Sequence, residues 1–136
     1  MVRMKKLLVL FLSVVVMASC TQYAKVQKSM DYDYKYELAK AYYMEGEYSQ
    51  ASSLLEDVLA FMKGTIYAEE SLYMLSMCYY NMKDYVTASH YFTTYYNTYP
   101  RGIYAEVARF MSARALYLDT PDPRLDQSST IRAIGE

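Results

Sequence analysis

The fold is decided by residues 38–51, which read LAKAYYMEGEYSQA. Two small residues in this stretch, Ala39 and Ala51, stand where two antiparallel helices can approach each other closely. The tyrosines between them can fill the space around that contact. Gly46 permits the chain to reverse, because glycine adopts backbone conformations that other residues avoid. The stretch therefore predicts a helical hairpin.

The same pattern recurs 37 residues later in the chain. A small residue, two tyrosines and an alanine at fixed spacing are found first at Ala39, Tyr42, Tyr48 and Ala51, and then at Ser76, Tyr79, Tyr85 and Ala88. Tyr67-Ala68-Glu69 also recurs as Tyr104-Ala105-Glu106 at the same offset. A fixed period of this length is typical of helical repeat arrays. The pattern resembles the tetratricopeptide repeat (TPR), which implies an all-α fold, a TPR α-solenoid of helix hairpins with about two and a half repeats.

The repeat register predicts where the helices begin and end. We expect helix pairs at 32–44 with 48–61 and at 67–82 with 85–98, then a helix at 104–118 and a final segment beginning near Asp126. Pro121 and Pro123 predict a longer loop in the third hairpin, since proline is excluded from helix interiors. We predict a TPR domain over 31–136, with repeats at about 31–65, 66–101 and 102–136, the last incomplete.

The incomplete third repeat has a structural consequence. The ends of a solenoid normally need a polar cap to cover their last interface. The sequence therefore predicts either that this chain belongs to a longer protein or that a partner covers the end.

Residues 1–19 have the layout of a secretory signal peptide. A basic cluster at Arg3, Lys5 and Lys6 precedes an apolar run over 7–16. That run is too short for a stable transmembrane helix, which needs roughly 20 apolar residues. We therefore predict a leader that is cleaved from the mature protein.

The leader ends in Ala18-Ser19-Cys20, which resembles the lipobox of bacterial lipoproteins. The resemblance implies that Cys20 is acylated and becomes the mature N-terminus, with 20–30 as a lipidated tether. Several acyl chains on one residue hold a protein firmly on a membrane. Thr21 follows the cysteine, which by resemblance to known lipoprotein sorting favours the outer membrane. We expect no other cofactor than this covalent lipid.

Charge and motif content exclude several function classes. Of the 14 basic residues, three lie in the predicted leader, which leaves 11 against 15 acidic residues and a net charge of −4. Such a chain offers no basic surface to nucleic acid, so we predict no nucleic-acid partner. With four glycines and one histidine, the sequence also lacks hydrolase, metalloprotease and phosphate-binding motifs. We predict a protein-binding module with no catalytic or metal site.

In TPR proteins the first helix of each hairpin lines the concave surface, and the repeat register gives the positions that are free to meet a ligand. The predicted groove residues are Tyr36, Lys40, Tyr43, Tyr73, Met77, Tyr80, Phe110, Arg114 and Tyr117. Six of the nine are aromatic, which suits an extended or hairpin peptide with aromatic side chains. The alternative is that these rings pack between neighbouring helices or are ordinary exposed tyrosines.

Several segments outside the hairpin pattern are similar to the BamD family of outer-membrane lipoproteins. They are Tyr23-x-Lys25-Val26-x-Lys28-Ser29-x-Asp31, Tyr95-x-x-Tyr99-Pro100, and the third-hairpin loop from Pro121 to Ile134. The resemblance implies a scaffold on the outer membrane that faces the periplasm. Such a scaffold works with BamA and other components of the β-barrel assembly machinery on unfolded outer-membrane proteins. In that family the N-terminal repeats are associated with the substrate's C-terminal targeting strand.

A second interpretation of the sequence stays open. The chain is also compatible with another TPR lipoprotein, either a cell-envelope coordinator of the YbgF kind or a peptide-binding adaptor. The proteins that copurify with it would distinguish these alternatives.

Overall fold

The computed structural model describes residues 25–120 and 127–135, with the side chain of Ser129 left aside. The predicted leader, Cys20 and the proline loop lie outside the described residues. The chain divides into two compact units, the first ending at Asp31 and the second beginning at Tyr32. In the first unit, residues 25–27 are helical and the Ser29 amide donates to the Val26 carbonyl.

The second unit is built from consecutive helices. In chain order they are α1 (Tyr32–Glu45), α2 (Tyr48–Phe61), α3 (Ile66–Asn81), α4 (Tyr85–Thr98), α5 (Ala105–Leu118) and α6 (Ser128–Gly135). Each helix packs against the next, and α1 also contacts α3. The regular elements of the described part are thus helices in a repeated hairpin arrangement. This confirms the prediction of an all-α, TPR-like solenoid, and every boundary of α1 to α5 lies within one residue of its predicted position.

The two complete hairpins reverse through the same turn. Gly46 and, 37 residues later, Lys83 both adopt positive φ angles, of 83° and 64°. In both turns this residue's amide donates to the carbonyl three residues earlier, and the next amide donates to the carbonyl five residues earlier. These bonds satisfy carbonyls that the helix end leaves without partners. In the second turn a lysine adopts this left-handed conformation, which is unfavourable for a residue with a side chain.

Small residues let the helices of the first two hairpins pack closely, as the sequence predicts. Ala39, Ala51, Ser76 and Ala88 are all fully buried. Larger side chains complete the core around them, among them Leu54, Leu55, Phe92 and Tyr95.

Polar contacts fix the interfaces between neighbouring helices. The buried Lys35 of α1 forms an ion pair with Asp57 of α2, with 2.6 Å between Nζ and Oδ2. Between α4 and α5, the Ser112 hydroxyl lies 3.1 Å from that of Ser89 and 2.9 Å from that of Thr93. Such directional contacts add orientation to the non-directional burial of apolar surface.

The third hairpin departs from the 37-residue register. A second helix in register with α4 would begin at position 122, whereas α6 begins at Ser128. Pro121 and Pro123 account for the later start of α6, because proline disfavours the helical conformation in the residue before it and has no amide hydrogen. Ala113, the counterpart of the fully buried Ala39 and Ser76, is consequently only half-buried.

None of the helices in the described ranges is both long enough and apolar enough to cross a membrane.

The shared turn predicts opposite effects for two substitutions. Replacing Lys83 with glycine should stabilise the protein by about 0.5–1 kcal/mol. Glycine removes the unfavourable left-handed conformation of a residue with a side chain, worth roughly 1–2 kcal/mol. This gain exceeds the cost of the extra conformational entropy that glycine gives the unfolded chain. Gly46→Ala should destabilise it by about 1 kcal/mol. A β-carbon there would meet no atom within 4 Å, so the loss would come from the backbone alone. The free energy of unfolding from urea titration, compared at an unchanged slope against urea concentration, measures both changes. A destabilised Lys83→Gly variant would contradict this account.

Candidate binding groove

The predicted groove residues all lie on α1, α3 and α5, the first helices of the three hairpins. Two open clefts form among them. The α1–α3 cleft, of about 270 Å³, is lined by Lys40, Tyr43, Met44, Glu70, Tyr73, Met74 and Tyr104. The α5–α6 cleft, of about 460 Å³, is lined by Phe110, Ala113, Arg114, Tyr117, Thr120, Thr130, Ala133 and Ile134. Six of the nine predicted residues therefore line one of these two clefts.

A carboxylate organises the rim of the α1–α3 cleft. Glu70 of α3 accepts a hydrogen bond from the Tyr36 hydroxyl and forms an ion pair with Lys40, at 3.2 Å between Nζ and Oε1. Lys40 also lies over the Tyr36 ring, 5.2 Å from its centroid. The hydrogen bond from Tyr36, and then Lys40, lowers the pKa of Glu70. Burial and the bond to Glu70 raise the pKa of Tyr36 to about 12, so this hydroxyl stays protonated.

The structure corrects the placement of Tyr36. Its side chain is only 3% exposed, because the ring packs against Tyr67 with 4.7 Å between centroids. Tyr36 therefore supports the cleft from below, while Lys40 and Glu70 reach its surface.

Tyr73 occupies the same place one repeat later. Its ring stacks on Tyr104, with centroids 4.1 Å apart and an angle of 13° between the planes. The edges of Phe92 and Tyr95 also meet it, at 6.1 and 5.8 Å. Tyr73 is half-buried. Much of its ring surface therefore packs between helices, as the alternative to a ligand-binding role predicts.

The remaining groove residues differ in how freely they face solvent. Met77 is half-buried and packs on the core. Tyr80 meets Tyr85 edge to face at 5.5 Å, and the Arg114 guanidinium lies over the Tyr80 ring, 5.9 Å from its centroid. Tyr43 meets Tyr48 in the same way at 5.9 Å. Phe110 and Tyr117 are exposed, at 62% and 71%, and Arg114 is exposed as well.

Sequence reasoning missed the carboxylates that tie the repeats together. Tyr95 of α4 donates to Glu69 of α3, with 2.6 Å between Oη and Oε1, and the Ile103 amide donates to the same oxygen at 3.2 Å. The Tyr104 amide in turn donates to the Tyr95 hydroxyl at 3.3 Å. The recurring Tyr-Ala-Glu segment was the available signal, since it places Glu69 at the start of α3.

Comparison with known protein families decides the broader identity. The profile of the YfiO family, described as outer membrane lipoproteins, matches residues 28–136. The chain belongs to this family. A search among curated proteins gave no match.

The YfiO family match covers the whole helical part that the structure describes from residue 28 onward. The helices, the two clefts and the Glu69 and Glu70 contacts therefore lie in the part of the chain that matches a family of outer membrane lipoproteins. Cys78, the cysteine within the described residues of this YfiO-family chain, is fully buried in α3, and burial raises its pKa to about 12. A thiol in that state is unreactive and serves as a small core side chain.

The Glu70 contacts predict a defined acid sensitivity. Because the folded state lowers the pKa of Glu70 below its ordinary value of 4.5, the contribution of Glu70 to stability is present above pH 4.5 and is lost as pH falls through the lowered pKa. Glu70→Gln should therefore lower the free energy of unfolding at pH 7, and the difference from wild type should shrink as the pH falls below 4.5. Urea unfolding at several pH values measures this. As a control, Glu45→Gln on the exposed end of α1 should leave the pH profile unchanged.

Proposed function

We propose that this chain is a BamD-like scaffold of the β-barrel assembly machinery, held on the outer membrane by a lipid on Cys20 and facing the periplasm. It binds BamA, other assembly components and unfolded outer-membrane proteins, and it acts by binding rather than by catalysis. The match to a family of outer membrane lipoproteins over residues 28–136 is the observation that carries the proposal. The aromatic clefts on α1, α3 and α5 support it.

The chemistry of the clefts suits an unfolded membrane protein. Tyr43, Met44 and Tyr117 offer apolar and aromatic surface to side chains that will later face lipid. Lys40 and Arg114 supply cations beside that surface, and both also contact rings within the protein. A carboxylate of a bound segment would find a cation in either cleft, and its aromatic side chains would find rings.

The lipid anchor is testable through the two cysteines. Cys20→Ser should abolish metabolic labelling with a palmitate analogue and release the protein from washed membranes, because the acylated side chain is gone. Cys78→Ser is the matched control and should keep both labelling and membrane association, since Cys78 is buried in the helical unit. Equal labelling of the Cys20→Ser variant would refute lipid attachment at this residue.

The groove is testable by copurification from detergent-solubilised envelopes. The lipidated protein should retain BamA and unfolded outer-membrane proteins. A Met44→Ser/Tyr117→Ser variant should lose most of the unfolded proteins, because it removes one exposed apolar side chain from each cleft (81% and 71% exposed) without disturbing the core. BamA recovery from this variant shows whether the assembly contact is separate from the groove.

The control variant is Ile66→Ser/Ile103→Ser. These side chains are 84% and 82% exposed and are outside both clefts, so their loss removes a comparable apolar surface elsewhere. The control should behave like wild type. Recovery of other envelope proteins in place of BamA would contradict the assembly role and favour a coordinator of the YbgF kind or a peptide-binding adaptor.

A further inference from the structure

The loops that join successive repeats lie at one edge of the solenoid, which we call the inter-repeat edge. They are residues 62–65, between α2 and α3, and residues 99–104, between α4 and α5. The start of α1 lies at the same edge, because the Tyr32 ring stacks on Phe61 at the end of α2, with 4.6 Å between centroids. The opposite, hairpin-turn edge consists of the turns within the hairpins, at 45–47, 82–84 and 119–120.

Large apolar side chains project from the inter-repeat edge at a repeated position. Ile66 is 84% exposed, and Ile103, which comes 37 residues later, is 82% exposed. Phe61, at the end of α2 on the same edge, is exposed as well. A single exposed apolar residue needs no explanation, whereas an exposed isoleucine at the same place in two successive repeats indicates a surface that the protein uses.

Hydrogen bonds fix the backbone of both loops. The Ile103 amide donates to Oε1 of Glu69, at 3.2 Å. Gly102 allows this approach, because a β-carbon there would lie 2.5 Å from the same carboxylate oxygen. In the preceding loop, the Thr65 hydroxyl donates to the Met62 carbonyl at 2.7 Å. The loops therefore present their isoleucines on the surface and do not fold them onto the core.

Charge distinguishes the two edges. In sequence, the two loops of the inter-repeat edge contain Lys63 and Arg101 and no acidic residue. The neighbouring helix starts add Asp33 and Glu106, so this edge is close to neutral. The hairpin-turn edge has Lys83 against a set of acidic residues, namely Glu45, Glu47, Asp84 and Asp119. An anionic surface therefore repels the hairpin-turn edge and allows the inter-repeat edge to approach.

The lipid anchor decides which surface the inter-repeat edge meets. The chain belongs to a family of outer membrane lipoproteins, so a membrane is the surface at hand. Cys20, the predicted lipid attachment site, comes 12 residues before Tyr32, where α1 begins, and 12 residues span at most about 40 Å when fully extended. A lipid on Cys20 would therefore hold the start of α1, and with it the inter-repeat edge, close to the membrane.

We propose that the inter-repeat edge lies on an anionic phospholipid membrane, with Ile66 and Ile103 among the headgroups and Lys63 and Arg101 beside lipid phosphates. The isoleucines gain burial of apolar surface, and the two cations are attracted to anionic lipid. The hairpin-turn edge then points away from the membrane. This inference rests on the lipid anchor of the proposed function and adds the orientation that an anchor alone leaves open.

The lipidated protein can be tested in vesicles of phosphatidylcholine and phosphatidylglycerol. In a Cys78→Ser background, a fluorescent label is attached through Thr98→Cys on the inter-repeat edge or through Glu47→Cys on the hairpin-turn edge, both of which are exposed positions. Lipids with a nitroxide on the headgroup should quench the Thr98→Cys label and leave the Glu47→Cys label bright. Flotation of the protein with the vesicles reports the anchor separately.

Two variants of the edge should reduce quenching of the Thr98→Cys label. Ile66→Ser/Ile103→Ser should lower the ratio of quenched to unquenched label at least about tenfold, because both apolar side chains leave the interface. Lys63→Gln/Arg101→Gln should lower this ratio about fivefold for each charge removed. The effect of the charge variant should disappear in vesicles of phosphatidylcholine alone.

The matched control is Met44→Ser/Val86→Ser, which removes exposed apolar side chains next to the hairpin turns and should leave quenching unchanged. Circular dichroism melting establishes that all variants fold. Ile66→Ser/Ile103→Ser should also keep its copurified proteins in detergent, where no membrane is present. A loss confined to vesicles therefore separates the membrane contact from the groove.

The outcomes that overturn the proposal are distinct from those that overturn the anchor. Floating protein with an unquenched Thr98→Cys label would contradict the edge contact and leave the anchor in place. Equal quenching of both labels would contradict the orientation. Quenching that Ile66→Ser/Ile103→Ser leaves unchanged would mean that the tether alone holds the edge at the membrane. Protein that does not float would contradict the anchor and, with it, this contact.

Discussion

The stacking of one repeat's first helix on the next is the interaction on which the rest of this structure depends. A single helix hairpin cannot bury its apolar face alone, so Tyr36 and Tyr73 are each covered by a ring from the next repeat. Tyr67 covers Tyr36 while Glu70 binds the Tyr36 hydroxyl and Lys40. The contact thus combines a tilted ring pair with a charged hydrogen bond. The ring supplies burial, and the carboxylate adds a directional contact between α1 and α3.

The repeat register explains most of what could be predicted. Small residues, tyrosines and turn positions recur every 37 residues because each repeat packs its two helices in the same way. This recurrence predicted the ends of α1 to α5 to within one residue. The prolines predicted a late start for the last helix, and α6 begins at Ser128. The carboxylate contacts were not predictable in the same way, because Glu69 and Glu70 are neighbours in sequence but bind partners on different helices, Tyr95 and Tyr36. Only the rotation of α3 between α1 and α4 decides which carboxylate faces which tyrosine.

Tyr36 shows why a register alone does not define a surface. It occupies the same repeat position as Tyr73 and Phe110, yet these three rings are buried, half-buried and exposed, respectively. The difference lies in what covers them. The register identifies the face of the helix to which a residue belongs, whereas exposure depends on the neighbouring repeat and its side chains. A groove predicted from a single TPR register therefore includes positions that the solenoid uses for its own assembly.

The same repeat register thus includes residues that line the predicted groove and residues that hold neighbouring repeats together. A position that one repeat uses to hold the next is shaped for an aromatic residue of the following repeat, so these side chains act as core inside the array. The half-buried tyrosines of the clefts serve a different purpose, because their rings are held by neighbours and present fixed apolar edges. Burial raises the pKa of Tyr43 to about 12. Its hydroxyl therefore stays neutral beside Lys40, and the charges that a bound segment meets in the α1–α3 cleft are those of Lys40 and Glu70.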